Sequence, residues 1–218
     1  MNKKINMVLI LLLLLIVSVG AVSAADNSSE TLSVNDNTQG DEILTASNYT
    51  VTEKTYGNYF SGKGEMSSSV NAGDTIILSG DFSGKNFTIN KQITLTSSGG
   101  TIKNGVITLT KDASGTVITG LTIKNSNNYL YGIHVNGATN CEIRDNFMNN
   151  TGQSSYCVVL NKDSDFNKIE HNTLSCYGET YGHGTRSTPV ILLGSADNNY
   201  IADNVIYSAD ANAIYLSS

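Results

Sequence analysis

The sequence predicts an all-β solenoid, a parallel β-helix with coils of about 25 residues. Two repeating series and the composition carry that prediction. In the first series, four segments share an Ile, two variable residues, a turn residue or Asn, one variable residue and an apolar one. They are Ile118-Thr-Gly-Leu-Thr-Ile123, Ile143-Arg-Asp-Asn-Phe-Met148, Ile169-Glu-His-Asn-Thr-Leu174 and Ile201-Ala-Asp-Asn-Val-Ile206. Their leading isoleucines stand 25, 26 and 32 residues apart. A second series lies between them: Gly-Ile133-His-Val135, Cys-Val158-Val-Leu160, Val-Ile191-Leu-Leu193 and Ala-Ile214-Tyr-Leu216, spaced 25, 33 and 23. Two series sharing nearly one period define a coil with at least two strands. The composition agrees: one proline (Pro189), no tryptophan and an abundance of Gly, Asn, Ser and Thr suit short strands joined by tight turns.

The pattern specifies a solenoid because apolar residues alternate within each strand and share one face. One strand cannot bury that face alone. Coils stacked at a strand spacing of about 4.8 Å pair every backbone group with the coil above and below. Ile118, Ile143, Ile169 and Ile201 then form one inward ladder, and Ile133, Val158, Ile191 and Ile214 another. A slip of one residue would turn both ladders outward, so the register is specified. Asn146, Asn172 and Asn204 share one position, where Asn tolerates left-handed backbone and stacked amides bond along the axis. Ile76–Leu78, Phe87–Ile89, Ile93–Leu95 and Val106–Leu109 read as earlier, less regular coils.

Before the coils, residues 1–24 read as a signal peptide. Lys3 and Lys4 precede an apolar run from Met7 to Val19, and Val22-Ser23-Ala24 is a small-residue cleavage site. The alternative is an uncleaved anchor, the one way this reading attaches the protein to a membrane. The run falls short of the roughly 20 residues of a membrane span. Residues 25–64 are polar and aperiodic and read as a spacer, with the β-helix domain over residues 65–218. Export places the protein outside the cell or on its surface. The net charge of −6 and the absence of a basic cluster argue against nucleic acid and anionic membrane surfaces. Cys141, Cys157 and Cys176 are odd in number, so at least one stays unpaired or pairs between chains; they are expected to be mostly free, small packing residues, with a Cys157–Cys176 bridge as an alternative resting on proximity alone.

Gly73-Asp74-Thr75-Ile76-Ile77-Leu78, Ile89-Asn90-Lys91-Gln92-Ile93-Thr94-Leu95 and the Ile-x-x-Asn-x-apolar repeats resemble right-handed parallel β-helix proteins of the pectate-lyase-like class. More narrowly, they resemble the adhesin-like surface proteins of methanogenic archaea. The resemblance implies a right-handed coil and a role in surface contact. It spans about residue 65 to the C-terminus and is shared by lyases, hydrolases, adhesins and copper-delivery proteins. Adhesin-like members are usually longer and carry an attachment module. This chain ends in mid-coil at Ala213-Ile-Tyr-Leu-Ser-Ser218, so a truncated or fragmentary member is expected, with an open strand edge that invites end-to-end self-association.

The segment 176–189 (CYGETYGHGTRSTP) departs from the period and lengthens one coil to 33 residues. Insertions in solenoids often mark the binding face, which makes Tyr177, Tyr181, His183 and Arg186 the ligand-binding candidates. Gly182-His183-Gly184 resembles one short motif of polygalacturonase-type hydrolases. With Asp163 and Asp165 on the preceding coil, and with Arg186, it frames a catalytic alternative in which paired acids flank a glycosidic bond. The adjacent Asp pair, the Asn-Thr-Asp and the Arg-Ile-Lys of those enzymes are missing. Asp165 aligns with Asp197, giving a calcium candidate well short of the roughly 6–8 oxygens the ion takes. His134, His171 and His183 share no evident face and no His/Cys spacing appears, so no cofactor is expected. Asn27, Asn48, Asn86 and Asn149 stand in glycosylation sequons.

The expectation for function is therefore a non-enzymatic, secreted or cell-surface adhesin-like protein that contacts glycans or another cell. Tyr129, Tyr131, Tyr156, Tyr177, Tyr181, Tyr207 and Tyr215 supply rings for sugar stacking. The alternative is a polysaccharide lyase or glycoside hydrolase using the 176–189 loop, and a third reading is a purely structural wall component.

Overall fold

The computed structural model describes residues 45–161, 163–176, 190–208 and 212–217. Each full coil contributes one strand to each of three sheets, and every pairing between strands is parallel. Sheet 1 stacks β1 (Asn48–Val51), β2 (Thr75–Leu78), β5 (Thr94–Ser97), β8 (Val117–Thr119), β11 (Glu142–Arg144), β14 (Lys168–Glu170) and β17 (Tyr200–Ala202). Sheet 2 stacks β3 (Asp81–Ser83), β6 (Thr101–Lys103), β9 (Thr122–Asn125), β12 (Phe147–Asn150), β15 (Thr173–Cys176) and β18 (Val205–Ser208). Sheet 3 stacks β4 (Phe87–Ile89), β7 (Ile107–Thr110), β10 (Tyr131–Asn136), β13 (Tyr156–Leu160), β16 (Ile191–Gly194) and β19 (Ile214–Ser217). The protein is a parallel β-helix.

Both expected ladders form. Ile118 pairs with Ile143, Ile143 with Ile169, and Ile169 with Ile201, and the first three are fully buried. Ile133, Val158, Ile191 and Ile214 follow one another on sheet 3, with Val135, Leu160, Leu193 and Leu216 two residues on. The six-residue repeat is not one strand. Its Ile belongs to sheet 1 and its last apolar residue to sheet 2, so Ile123, Met148, Leu174 and Ile206 make a third ladder.

Between those halves the chain turns through a corner of two residues, and the structure corrects the reading of the Asn there. The left-handed residue is the one before it: Gly120, Asp145, His171 and Asp203 have φ between 53° and 67°. The Asn itself points inward and is buried at Asn146 and Asn172. Its amide oxygen accepts the backbone N–H of the coil before (Leu121 N to Asn146 Oδ1, 3.0 Å; Asn146 N to Asn172 Oδ1, 3.0 Å; Asn172 N to Asn204 Oδ1, 2.9 Å). Its Nδ2 donates to a carbonyl one coil back, Ile118 O from Asn146 and Ile143 O from Asn172. Interior turn groups are thereby satisfied without water.

A second amide ladder at the corner between sheets 3 and 1 was not anticipated. Cys141 N donates to Asn167 Oδ1 and Asn167 N to Asn199 Oδ1, both at 2.8 Å. The preceding residues Asn140, Phe166 and Asn198 are again left-handed.

The spacer expected over residues 25–64 is corrected in its second half. β1 extends sheet 1 by pairing with β2, and Glu65 bridges Thr88 in parallel beside sheet 3. A single helical turn, α1 (Tyr56–Tyr59), brings Tyr56 and Phe60 onto Phe82 and Phe87, with ring centroids 5.1–6.4 Å apart. These rings close the first coil's apolar end, the role of a cap in a solenoid. Burial pushes the Tyr56 phenol up to about 12, and its hydroxyl donates to the Asn86 carbonyl. A cap occurs once, so periodicity does not reveal it. Residues 1–44, with the signal-peptide reading and Asn27, lie outside the described residues.

Ile169→Ala should cost about 2–5 kcal/mol in urea unfolding, because the site is walled by ladder neighbours and cannot collapse. Asn172→Ala takes a partner from the Asn146 N–H and from the Ile143 and Glu170 carbonyls, and urea unfolding should show a cost of about 1–3 kcal/mol for each of these groups left unsatisfied. Lys168→Ala removes only a 3.6 Å exposed pair with Glu142 and should stay within about 0.5 kcal/mol of the parent.

Candidate functional site

The corner between sheets 2 and 3 differs from the other two in that one of its connections is far longer than the rest. They run 84–86, 104–106, 126–130 and 151–155, and the chain next leaves β15 at Cys176 and re-enters at Val190. The insertion of residues 177–189 therefore belongs to this corner. Tyr177, Tyr181, His183 and Arg186 lie outside the described residues.

The described connections are stitched to one another coil by coil. Asn104, itself left-handed, accepts Ser126 N at 2.7 Å and Asn127 N at 3.1 Å through Oδ1. Asn128 Oδ1 accepts Gln153 N at 2.8 Å, and Tyr129 N donates to Gln153 O at 2.8 Å. Ser155 Oγ accepts Leu130 N at 3.1 Å. At Gly152 the Asn127 carbonyl approaches so closely that a Cβ would sit 1.9 Å from its oxygen, which leaves glycine as the residue that fits. Buried Asn125 and Asn150 end β9 and β12, and the Nδ2 of each donates to the carbonyl of a tyrosine opening the next strand, Tyr131 and Tyr156.

Beside this corner the outer face of sheet 2 forms a groove of about 160 Å³ lined by Lys103, Asn104, Lys124, Ser126, Asn149 and Thr151, among others. Lys103, Lys124 and Asn149 are in register on three successive coils. Like charges directly opposite on neighbouring strands are unfavourable. Lys103 is partly neutralised by Asp81 at 2.6 Å, and that ammonium holds the Asp81 carboxyl below the usual carboxylate range. Among the described residues Lys124 has no ion-pair partner. Asn149 Oδ1 is buried with no hydrogen-bond partner among the described residues. In the 126–130 connection, whose Ser126 lines the groove, Tyr129 adopts φ 60° and is 71% exposed. A left-handed aromatic is strained, and such strain concentrates at functional loops. Apart from Asn149, singled out as a sequon, these groove residues are not marked by the sequence analysis, although Thr-Ile-Lys-Asn stands at both 101–104 and 122–125.

The other tyrosines have separate fates. Tyr131 and Tyr156 pack edge to face at 5.5 Å, half-buried at the same corner. Tyr207 is exposed on the outer face of sheet 2, in register with Ser175, and Tyr215 on that of sheet 3, in register with Leu192.

The acids of the catalytic alternative sit elsewhere. Asp163 and Asp165 lie between β13 and β14, at the corner of sheets 3 and 1, across the width of sheet 3 from the departure of the insertion. Asp165 and Asp197 occupy equivalent positions on adjacent coils, but Asp165 Oδ1 accepts the Asp197 backbone N–H at 2.7 Å. That carboxylate serves as a turn cap, and no group of three His, Cys, Asp or Glu suited to a metal exists among the described residues. Phe166, exposed and left-handed beside them, fills a corner position held by Asn140 and Asn198 in neighbouring coils.

His134 faces outward but is half-buried, against the Tyr131 ring at 5.2 Å and with Nε2 2.7 Å from Asn161 Nδ2. Burial holds its pKa below the ordinary histidine value. His171 is exposed at a corner, 3.9 Å from Asp203. The Asn48 and Asn86 side chains are exposed, while Asn149 is partly buried in the groove. All three cysteines are buried free thiols.

No family model, no characterised protein and no solved structure matches this chain. No helix among the described residues is long and apolar enough to cross a membrane.

The unfolded chain binds a proton at His134 more readily than the folded one, so acid favours unfolding at this residue. Stability should fall as pH drops from neutrality through about 6.5 toward the lower folded pKa, and be flat below it. Melting temperatures of the parent and His134→Gln measured from pH 8 to pH 5 check this; the variant should lose that part of the acid sensitivity.

Proposed function

We propose that this protein is an exported, non-catalytic β-helix of the cell exterior that contacts glycans through the corner between sheets 2 and 3. The observation that carries the reading is Tyr129, an exposed residue held on left-handed backbone in the connection whose Ser126 lines a polar groove. Sugars present both an apolar ring face, which stacks on tyrosine, and hydroxyls, which donate to an amide oxygen. Two further supports are the apolar run and small-residue site of residues 1–24 and the likeness of the repeats to pectate-lyase-like and archaeal adhesin-like β-helices. The lack in the sequence of the adjacent Asp pair, the Asn-Thr-Asp and the Arg-Ile-Lys of polygalacturonase-type hydrolases favours contact over cleavage.

A glycan array followed by calorimetry on the strongest hit tests this. Tyr129→Gly removes the ring and the left-handed strain together, so its stability should stay within about 1 kcal/mol of the parent. Its glycan affinity should fall at least about tenfold, near 1.4 kcal/mol. An empty array would overturn the reading. Release of reducing or unsaturated ends from a polysaccharide panel, with or without calcium, would replace it with the lyase or hydrolase alternative.

A further inference from the structure

The Asn125–Asn150 column at the corner of sheets 2 and 3 stops at a cysteine. Asn125 pairs with Asn150 and Asn150 with Cys176, so a thiol stands where the two coils before carry an amide. The amides clamp the carbonyls of Tyr131 and Tyr156 across the corner. Cys176 instead directs its sulfur at the Ser155 carbonyl, 2.9 Å away, on the coil before. That carbonyl lies two residues from Cys157, whose own sulfur is 3.3 Å from the carbonyl of Ser175, the neighbour of Cys176. Each thiol therefore reaches the backbone beside the other. Both are buried, in adjacent coils and on different sheets.

We propose that Cys157 and Cys176 form a disulfide that rivets two coils together at the foot of the 177–189 insertion, in place of the missing amide clamp. The reaction is thiol–disulfide exchange with a low-molecular-weight disulfide such as oxidised glutathione. The Cys176 thiolate attacks one sulfur of that disulfide, forming a mixed disulfide and expelling one thiolate. Cys157, on losing its proton, attacks the Cys176 sulfur and expels the second. Two protein thiols give up two electrons and two protons, and the small disulfide becomes two thiols. The order follows from the environment. The neighbouring Cys157 side chain lowers the Cys176 thiol below its usual range, whereas the neighbouring Cys176 and burial raise Cys157. Cys141 takes no part: its sulfur lies 3.5 Å from the Ala113 and Thr139 carbonyls, at the corner of sheets 3 and 1.

The full chain, unfolded in reductant, is refolded through a series of glutathione buffers, quenched with iodoacetamide and mapped by mass spectrometry. Refolding removes the question of oxidant access to buried sulfurs. The expected result in oxidising buffer is one peptide pair joined through Cys157 and Cys176, with Cys141 alkylated. The oxidised protein should melt several degrees above its reduced form, a difference absent from Cys157→Ser and Cys176→Ser. If those variants do not fold, Cys141→Ser retains the pair and must show the same loss of two thiols. Three alkylated cysteines in the most oxidising buffer, a persistent glutathione adduct, or pairing through Cys141 would each overturn the proposal.

Discussion

Parallel, in-register stacking is the constraint on which everything else in this molecule depends. Strands about 4.8 Å apart pair each residue with its counterpart one coil away. Whatever occupies an inward position must therefore pack on its own kind, or on a near equivalent, above and below. Aliphatic residues meet that demand, and Ile118, Ile143 and Ile169 do so with no exposed surface. Polar residues meet it where the group on one coil satisfies the backbone of the next, as the buried Asn146 and Asn172 amides do. Asn is suited to this because one amide supplies an acceptor and two donors, enough to bond the coil on either side.

The corners follow from the same constraint. A strand that leaves one sheet for another must redirect its backbone within two residues, and the left-handed conformation of Asp145, His171 or Asp203 does so. The residue after it is then turned inward, which is why the amide ladder sits one position later than a turn-forming Asn would. Asn identified the corner but not its geometry, since a sequence motif does not say which of two adjacent residues takes the positive φ. At the corner of sheets 3 and 1, Thr116, Cys141, Asn167 and Asn199 vary in identity, and the shared position has no single residue type to betray it.

Legibility in the sequence therefore tracks repetition. The ladders of sheets 1 and 3 recur with one kind of side chain and were readable. Sheet 2 was half-read, because its strands sit in the same six-residue motif as those of sheet 1. The closing layer of Tyr56, Phe60, Phe82 and Phe87 was unreadable by period. So was the groove, where Lys103, Lys124 and Asn149 share a face only because the register places them there. The pairing of Cys157 with Cys176 was legible only as nearness along the chain. What brings their side chains together is the step from β13 to the end of β15 on the next coil.

The distribution of coil lengths points to where selection for contact with other molecules could act. Five of the six connections between sheets 1 and 2 hold to two residues, as their left-handed turn requires, so an insertion there would break the amide ladder. The corner of sheets 2 and 3 has no continuous ladder. Its Asn column covers two coils and then changes to cysteine, and its connections range from three residues to the 177–189 insertion, with five residues at 209–213 in the coil after it. Extra chain enters where it displaces no interior hydrogen bond, which is the condition for elaborating a loop without unpicking the stack. Tyr129, the polar groove and the cysteine pair all lie at or beside this corner. A site can diverge there while the ladders of the other two corners keep the coils in register.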